Sequence, residues 1–383
     1  MRYLQILFIA ALFITSCSKD NENEELTAEL APQIQLSVTT EQIEMTPGDE
    51  LAITAVSSNE REVAHQWKLN NAVISETNQF SFTANEEGIF TVLYTAKNNA
   101  GEFSKTYTIA VGVTIRPITK ESSKYLSKVF EYLPAPGQHM NKPTVGSYEQ
   151  ALKTVGSISN FVSLGAYGGY IIFGFDHSVI NNEEHDLAIY GNPSGPPSHF
   201  SEPGIVMVSR DVNGNGLPDD EWYELAGSEY NKPTTIKNYE ITYYNPKGYA
   251  NVPWEDNQGR QGVVEINTFN KQEYYPKFIA NQESVTFKGT LLPSSWGQNG
   301  SLWINSPFEW GYTDSFSTGD GYHGTTRPYN SFDISWAVDK DGNSVDLKFI
   351  DFVKVYTGQN EKGNAMLGEI STEFKGAVDL GIK

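Results

Sequence analysis

The chain has 383 residues, with 27 Lys and Arg against 47 Asp and Glu, a formal net charge of -20 and only 19% charged residues. That balance excludes nucleic acid and anionic lipid headgroups as partners, because both demand clustered Lys and Arg. Gly 33, Pro 18, Tyr 21, Phe 20 and Trp 7 describe many short strands joined by turns, which predicts an all-β protein of two or more domains.

Arg2 precedes an apolar run over residues 4–14, which is too short to span a bilayer, and Thr15-Ser16-Cys17 follows. Ile14-Thr15-Ser16-Cys17 has the form of a bacterial lipobox, in which small residues admit the peptidase before an acylated cysteine. Residues 1–16 are therefore expected to be a lipoprotein signal peptide and Cys17 the lipidated residue. Cys17 is the chain's single cysteine, so the mature fold has no disulfide and rests on its core. Residues 17–31 form an acidic tether, Ser18-Lys19-Asp20-Asn21-Glu22-Asn23-Glu24-Glu25, with too little apolar surface to pack. A lysine followed by acids just after such a cysteine resembles the surface-export signal of Bacteroidetes lipoproteins. The expected location is the outer membrane, lipid-anchored and facing the exterior.

Residues 32–115 alternate with strand periodicity over 34–38, 51–56, 65–69 and 90–96. Thr46-Pro47-Gly48-Asp49, Asn70-Asn71, Asn85-Glu86-Glu87-Gly88 and Asn98-Asn99-Ala100-Gly101 supply turns between them, at the spacing of a small Greek-key sandwich with Trp67 in its core. This segment resembles immunoglobulin-like and PKD-type modules of bacterial surface proteins and is expected to act as a spacer. Residues 116–156 read as a connector with two short helices. One is predicted over 121–132, ahead of Pro134-Ala135-Pro136-Gly137. The other starts at a Ser147 cap, with Gln150 completing a capping box.

Over 157–383 the strand pattern returns at 170–175, 186–190, 205–209, 239–244, 284–287, 331–335 and 349–356. About eight strands in one such unit predict a larger jelly-roll-like β-sandwich with a long insertion. Its most specific motif is Asp211-Val212-Asn213-Gly214-Asn215-Gly216-Leu217-Pro218-Asp219-Asp220-Glu221. Asp211, Asn213, Asn215 and Asp219 occupy calcium-loop positions 1, 3, 5 and 9, with the Leu217 carbonyl at 7 and Gly216 at the sharp turn. Trp222 stands at position 12, where a bidentate glutamate belongs, so Asp220, Glu221 or Glu224 must substitute. The expectation is a structural Ca²⁺ in a loop between strands, against an acidic Asn-Gly turn without metal.

Catalytic patterns are poor. The six histidines show no zinc spacing, and no nucleophile elbow occurs. Asp176, Asp186, Glu202, Asp314, Asp320 and Asp333 include possible glycosidase pairs, but most are expected to be solvated turn residues. Six of the seven tryptophans lie between 222 and 336. Rings set among Gly and polar residues suit a shallow site that stacks on a large flat ligand. On that chemistry Trp296, Trp310, Tyr312, Tyr322, His323, Arg327 and Tyr329 are the candidate ligand residues.

Gly168-Gly169-Tyr170-Ile171-Ile172-Phe173-Gly174-Phe175-Asp176, the 186–192 stretch, Ser201-Glu202-Pro203-Gly204-Ile205-Val206, the 211–227 loop and Asp351-Phe352-Val353-Lys354-Val355 resemble a family of Bacteroidetes cell-surface lipoproteins. Among these, the cobamide (vitamin B12)-binding lipoproteins of the BtuH type are most similar. The resemblance implies a non-enzymatic receptor that captures a cobamide and hands it to an outer-membrane TonB-dependent transporter. A calcium-stabilised glycan-binding lipoprotein is the alternative, and a glycoside hydrolase a third.

Overall fold

The computed structural model describes residues 30–59, 62–85, 88–112, 115–182, 184–195, 200–317 and 329–383. Cys17 and the signal and tether residues before Leu30 lie outside them, as do Tyr322, His323 and Arg327. The described chain is all-β, with one short α-helix, and packs as two compact units, one within 30–111 and one over 112–383. No helix among the described residues is long and apolar enough to cross a membrane.

In the first unit a three-stranded sheet (Ile34–Leu36, Glu50–Ser57, Gln79–Thr83) faces a five-stranded one (Gln42–Met45, Gly101–Val111, Gly88–Asn98, Ala64–Leu69, Ala72–Ser75). Trp67 is fully buried between them, 4.3 Å from Tyr94 and 5.2 Å from Phe80 by ring centroids. The predicted Asn70-Asn71 turn closes the hairpin between Ala64–Leu69 and Ala72–Ser75. Both asparagines adopt positive φ, 46° and 70°, as a two-residue hairpin turn requires.

The second unit is built on a six-stranded antiparallel sheet in the spatial order Ala337–Val338, Trp222–Leu225, Gly204–Ser209, Phe349–Thr357, Tyr170–Ile180, Lys128–Leu133. Both faces of its inner strands are buried, and alternate residues go to two different cores. Val206, Val208, Val353, Val355, Ile171 and Phe173 pack on one side, where Leu187–Tyr190, Tyr329–Phe332 and Gly376–Asp379 form a three-stranded sheet. Ile205 and Tyr356 pack on the other, against Tyr239, Ile241, Tyr243, Val285 and Phe287. Those belong to a four-stranded sheet (Gln261–Val264, Val252–Asp256, Ile236–Tyr244, Ser284–Leu291) that constitutes the long insertion. The sandwich therefore has three sheet layers rather than two.

The connector reading needs correction. Residues 128–133 do not form a helix but an edge strand paired with Tyr170–Gly174, and they belong to the central sheet of the second unit. Val129, Phe130 and Tyr132 gain more from lining that sheet than a weak local helical preference supplies. The second helix does form, Tyr148–Leu152, with the Ser147 side chain accepting from the Gln150 backbone N–H at 3.2 Å. Its capping box is only half made, because the Gln150 side chain donates to the Phe161 carbonyl at 2.9 Å instead of turning back.

Candidate functional site

The Asp211 loop joins Gly204–Ser209 to Trp222–Leu225, between strands as expected. The Asp211 carboxylate accepts the Gly216 backbone N–H at 2.9 Å, while Asn213 and Asn215 accept from Asn215 and Leu217. Gly214 and Gly216 take φ of 69° and 72°, conformations that side-chain-bearing residues rarely hold. Among the described residues the second oxygen of Asp211 is buried with no hydrogen-bond partner. A buried, unpaired carboxylate oxygen is what a hard cation would satisfy, and Asp219, Asp220, Asn213 and Asn215 of the same loop supply further oxygens. Of the substitutes for position 12, Glu224 accepts from the Thr290 hydroxyl at 2.6 Å, Glu221 from the Tyr223 hydroxyl at 3.0 Å, and Asp220 from the Val212 backbone N–H of the loop itself at 3.1 Å.

The aromatic candidates do not form one site. Tyr312 is 1% exposed in the core beside the insertion sheet, and its hydroxyl accepts the Glu229 backbone N–H at 3.0 Å, so it cannot meet a ligand. Burial of its large ring outweighed the Gly-rich context that made it look like a loop residue. Trp310 packs on Trp336 at 4.8 Å, and half-buried Tyr329 pairs with Tyr190 at 5.2 Å. Trp296 is placed differently. It lies in a hairpin (Trp296–Asn299, Leu302–Asn305), stacked on the exposed Trp303 at 5.2 Å and 17°, with Phe200 edge-on at 6.0 Å.

Phe200 leads to a cleft of about 570 Å³, whose walls include Gln138, His139, Lys142, Phe161, Asn192 and Leu367. Glu202 and Glu373 line it as well, and with Asp314 they bring carboxyl oxygens within 4.8 Å of one another. Three segments meet there. Glu202 precedes the strand Gly204–Ser209, Glu373 begins the two-residue strand Glu373–Phe374, and Asp314 sits in a left-handed conformation at φ 51°. Asp314 accepts the backbone N–H of Asn192 at 2.6 Å and of Glu373 at 2.8 Å, and Glu202 accepts that of Ser371 at 2.9 Å. Gly191 permits this closeness, since a Cβ there would come within 2.3 Å of an Asp314 carboxyl oxygen.

Burial dominates the electrostatics. It pushes Glu202 up to about 7, and it raises Asp314 and Glu373 well above the usual carboxyl range, with the neighbouring charge of Glu202 adding to both. A hydrogen bond links Glu202 and Glu373. Glu369, 4% exposed, is raised to about 8 by burial. One of its oxygens accepts the Gln138 backbone N–H at 2.7 Å, and the other has no partner among the described residues. His139 is lowered to about 4, first by burial and then by Lys142, and stays neutral. The oxygens of the three acids are close enough to hold a cation or to share protons.

Sequence reasoning named Glu202 and Asp314 among its carboxylates but gave them no partner, and it missed Glu373, Glu369, Gln138 and His139. No local pattern marks these residues, because they converge only through the sheet topology. The expectation that most of the named acids are solvated is also corrected. Asp186 is fully buried and accepts the backbone N–H groups of Asn182 and Ile334, while Asp333 caps the turn at Ile334–Trp336. Asp320 lies outside the described residues.

No family model and no curated protein matches the chain. Among solved structures, it is similar to a quinonprotein alcohol dehydrogenase-like protein from Bacteroides thetaiotaomicron (17% identity, 27% of this chain and 24% of that one, TM-score 0.21). It is also similar to fibronectin(III)-like modules of Clostridium thermocellum CbhA (12%, 61% and 93%, 0.20) and to titin domain M7 (13%, 22% and 98%, 0.17). The chain spans about a quarter of the length of the first of these. Likenesses this weak carry no argument about what the protein does.

Proposed function

We propose that the chain is a lipid-anchored surface receptor whose second unit captures a cobamide in the acid-floored cleft and passes it to an outer-membrane TonB-dependent transporter. The observation that carries the reading is the chemistry of the cleft. Its floor has the carboxyl groups of Glu202 and Glu373, whose burial favours the neutral form, its walls present the amides of Gln138 and Asn192, and Phe161, Phe200 and Leu367 give it apolar surface. A cobamide offers a large apolar ring system edged with uncharged carboxamides, which such groups complement. The resemblance of 168–176, 201–206 and 351–355 to cobamide-binding surface lipoproteins supports the same ligand. Isothermal titration with cyanocobalamin tests it. Submicromolar binding is expected, and no heat at 100-fold higher concentration, about 10⁻⁴ M, would overturn it.

Within this reading Trp296 and Trp303 extend the cleft as a stacking rim. Trp296→Ala is expected to weaken cyanocobalamin about tenfold or more, whereas Trp310→Ala, whose ring packs on Trp336, should leave affinity within about twofold. Equal losses in the two variants would remove the rim from the site. The exposed, nearly parallel Trp296–Trp303 pair also favours glycan capture as a second reading, since sugar rings stack on such surfaces. Signal on a glycan array in the absence of cyanocobalamin binding would select it. A hydrolase draws less from this geometry, because two of the acids are hydrogen-bonded to each other instead of flanking a bond.

Calcium belongs to the same proposal as a structural ion. Asp211, Asn213, Asn215, Asp219, Asp220 and the Leu217 carbonyl would hold it, and it would neutralise the clustered carboxylates and stiffen the loop between two strands of the central sheet. Chelation is expected to lower the thermal midpoint by several degrees, with calcium restoring it and Asp219→Ala abolishing the response. A midpoint unmoved by either addition would leave the loop an acidic turn.

A further inference from the structure

We propose that the second unit has a further binding site beside the cleft, in which a neutral oligosaccharide lays one sugar ring on the Trp296–Trp303 pair and sets the next in a pocket lined by Arg260, Asn360 and Glu361. The site goes beyond cobamide capture and rests only on the glycan reading of the ring pair.

The pocket has a volume of about 150 Å³, against about 570 Å³ for the cleft. At about 30 Å³ per water it has room for roughly five waters, the size class of one sugar ring. Ile236 and Leu291 give it apolar lining, and Arg260, Ser294, Asn360 and Glu361 give it hydrogen-bonding groups. The pocket and the ring pair adjoin because the same two chain segments build both. The Ser294 hydroxyl donates to the Glu361 carboxylate at 2.6 Å and accepts the Trp296 backbone N–H at 3.3 Å. Two residues past Glu361, the backbone at Gly363 runs against the Trp296 ring, where a Cβ would stand 3.7 Å from Trp296 Cη2.

Both features are held in place before any ligand arrives. The hairpin that carries the rings is fixed at its base by Asn305, fully buried, whose amide donates to the Ser201 carbonyl and to the Gln359 side-chain oxygen, each at 2.7 Å. Gln359 donates in turn to the Pro293 carbonyl at 2.7 Å. On this rigid base Trp303 is still 41% exposed, stacked on Trp296 at 17°. In the pocket, Arg260 Nε donates to Asp256 at 2.7 Å, the Tyr239 hydroxyl donates to Asp256 at 2.9 Å, and Asn360 donates to the Tyr239 hydroxyl at 3.1 Å. Aromatic surface and polar groups ordered in this way lose little further freedom when a ligand binds.

Charge decides the ligand class. The Asp256 side chain is fully buried and already balances the Arg260 guanidinium, and Glu361 adds a second carboxylate to the lining. An anionic ligand therefore meets negative charge, here and across a chain of net charge -20, while a cation meets the guanidinium. A neutral polyol meets neither opposition. Its hydroxyls accept from Arg260 and donate to Glu361, and the C–H faces of its rings lie on the indoles.

Isothermal titration with cellotetraose, laminaritetraose, mannotetraose and tetragalacturonic acid tests the site. At least one of the three neutral sugars is expected to bind with a Kd below about 10⁻³ M, and the acid about tenfold or more weakly than that sugar. Asn360→Ala, Glu361→Ala and Trp303→Ala should each weaken the neutral sugar about tenfold, and the first two should leave the Kd of cyanocobalamin within about twofold. Thermal melting of each variant shows that it is folded. Neutral binding that survives both pocket substitutions and is lost in Trp303→Ala overturns the pocket and leaves the glycan reading of the rings standing. Binding of tetragalacturonic acid as tight as that of the neutral sugars overturns the ligand class. A matching loss of cyanocobalamin in the pocket variants overturns a separate site. No heat with any of the three neutral sugars overturns the proposal together with the glycan reading, and leaves cobamide capture to its own titration.

Discussion

The chain is expected to lose stability as the pH rises from about 6 to 9, the reverse of what surface carboxylates in ordinary ion pairs produce. Glu369 is raised to about 8, Glu202 to about 7 and Asp186 to about 6, each first by burial. In the unfolded chain these groups ionise near their ordinary values, about 4. Between those values and the raised ones the folded state binds more protons, so stability falls with every step in pH. Their contribution is intact below pH 4 and is lost as pH passes through about 6, 7 and 8 in turn. Glu369 alone accounts for roughly 3–5 kcal/mol at the alkaline end, at about 1.4 kcal/mol per unit. His139 acts in the opposite sense. Lowered to about 4 from 6.5, it withdraws stability as pH falls from 6.5 through 4, which offsets one of the three falling carboxyl contributions in that interval and none above it. Urea unfolding at pH 6 and 9 checks this, with Glu369→Gln flattening the difference while keeping an acceptor for the Gln138 N–H. A free energy that held level or rose from pH 6 to 9 would mean that Glu369 is ionised in the fold.

His177→Ala should be the most damaging single substitution outside the cores, costing about 3–5 kcal/mol. The ring is fully buried between two carboxylates, with Nδ1 2.6 Å from Asp176 and Nε2 2.7 Å from Asp379. Asp379 is 1% exposed and ends the strand Gly376–Asp379, an edge of the three-stranded sheet. Removing the imidazole leaves that carboxylate buried with only the Gly381 N–H for its other oxygen, at 2.7 Å. Asp176 is partly exposed, so Asp176→Asn should cost about 1 kcal/mol or less. Chemical denaturation of both variants separates the two. Equal losses would place the stabilisation in ring packing rather than in the buried pair.

The Asp211 loop and the acid cleft were not equally legible. The turns of the Asp211 loop could be read because they follow from asparagines, aspartates and glycines within one short stretch, with Gly214 and Gly216 where the chain must turn. Trp296 was also legible as a ring in a polar turn. Tyr312 looked the same in sequence and proved to be core, since Gly-rich context does not reveal which side of a loop faces the protein. The acid floor had no local signature. Glu202, Asp314 and Glu373 are brought together by three chain segments that neighbour one another only once the central sheet and the separate pair of strands Val162–Ser163 and Glu373–Phe374 have formed.

Sequence alone determined the all-β class, the alternating strands, the Asn70-Asn71 hairpin turn and the Ser147 cap, because each depends on side-chain periodicity or on backbone geometry within a few residues. The tertiary structure decided the rest. It made residues 128–133 a strand by supplying an edge to pair with, and it turned the insertion into a third sheet by burying both faces of the central one. It also brought three carboxyls from separate segments together beside the cleft that Lys142 lines. Burial and proximity are properties of the folded chain, so that cluster could not be read from the order of residues.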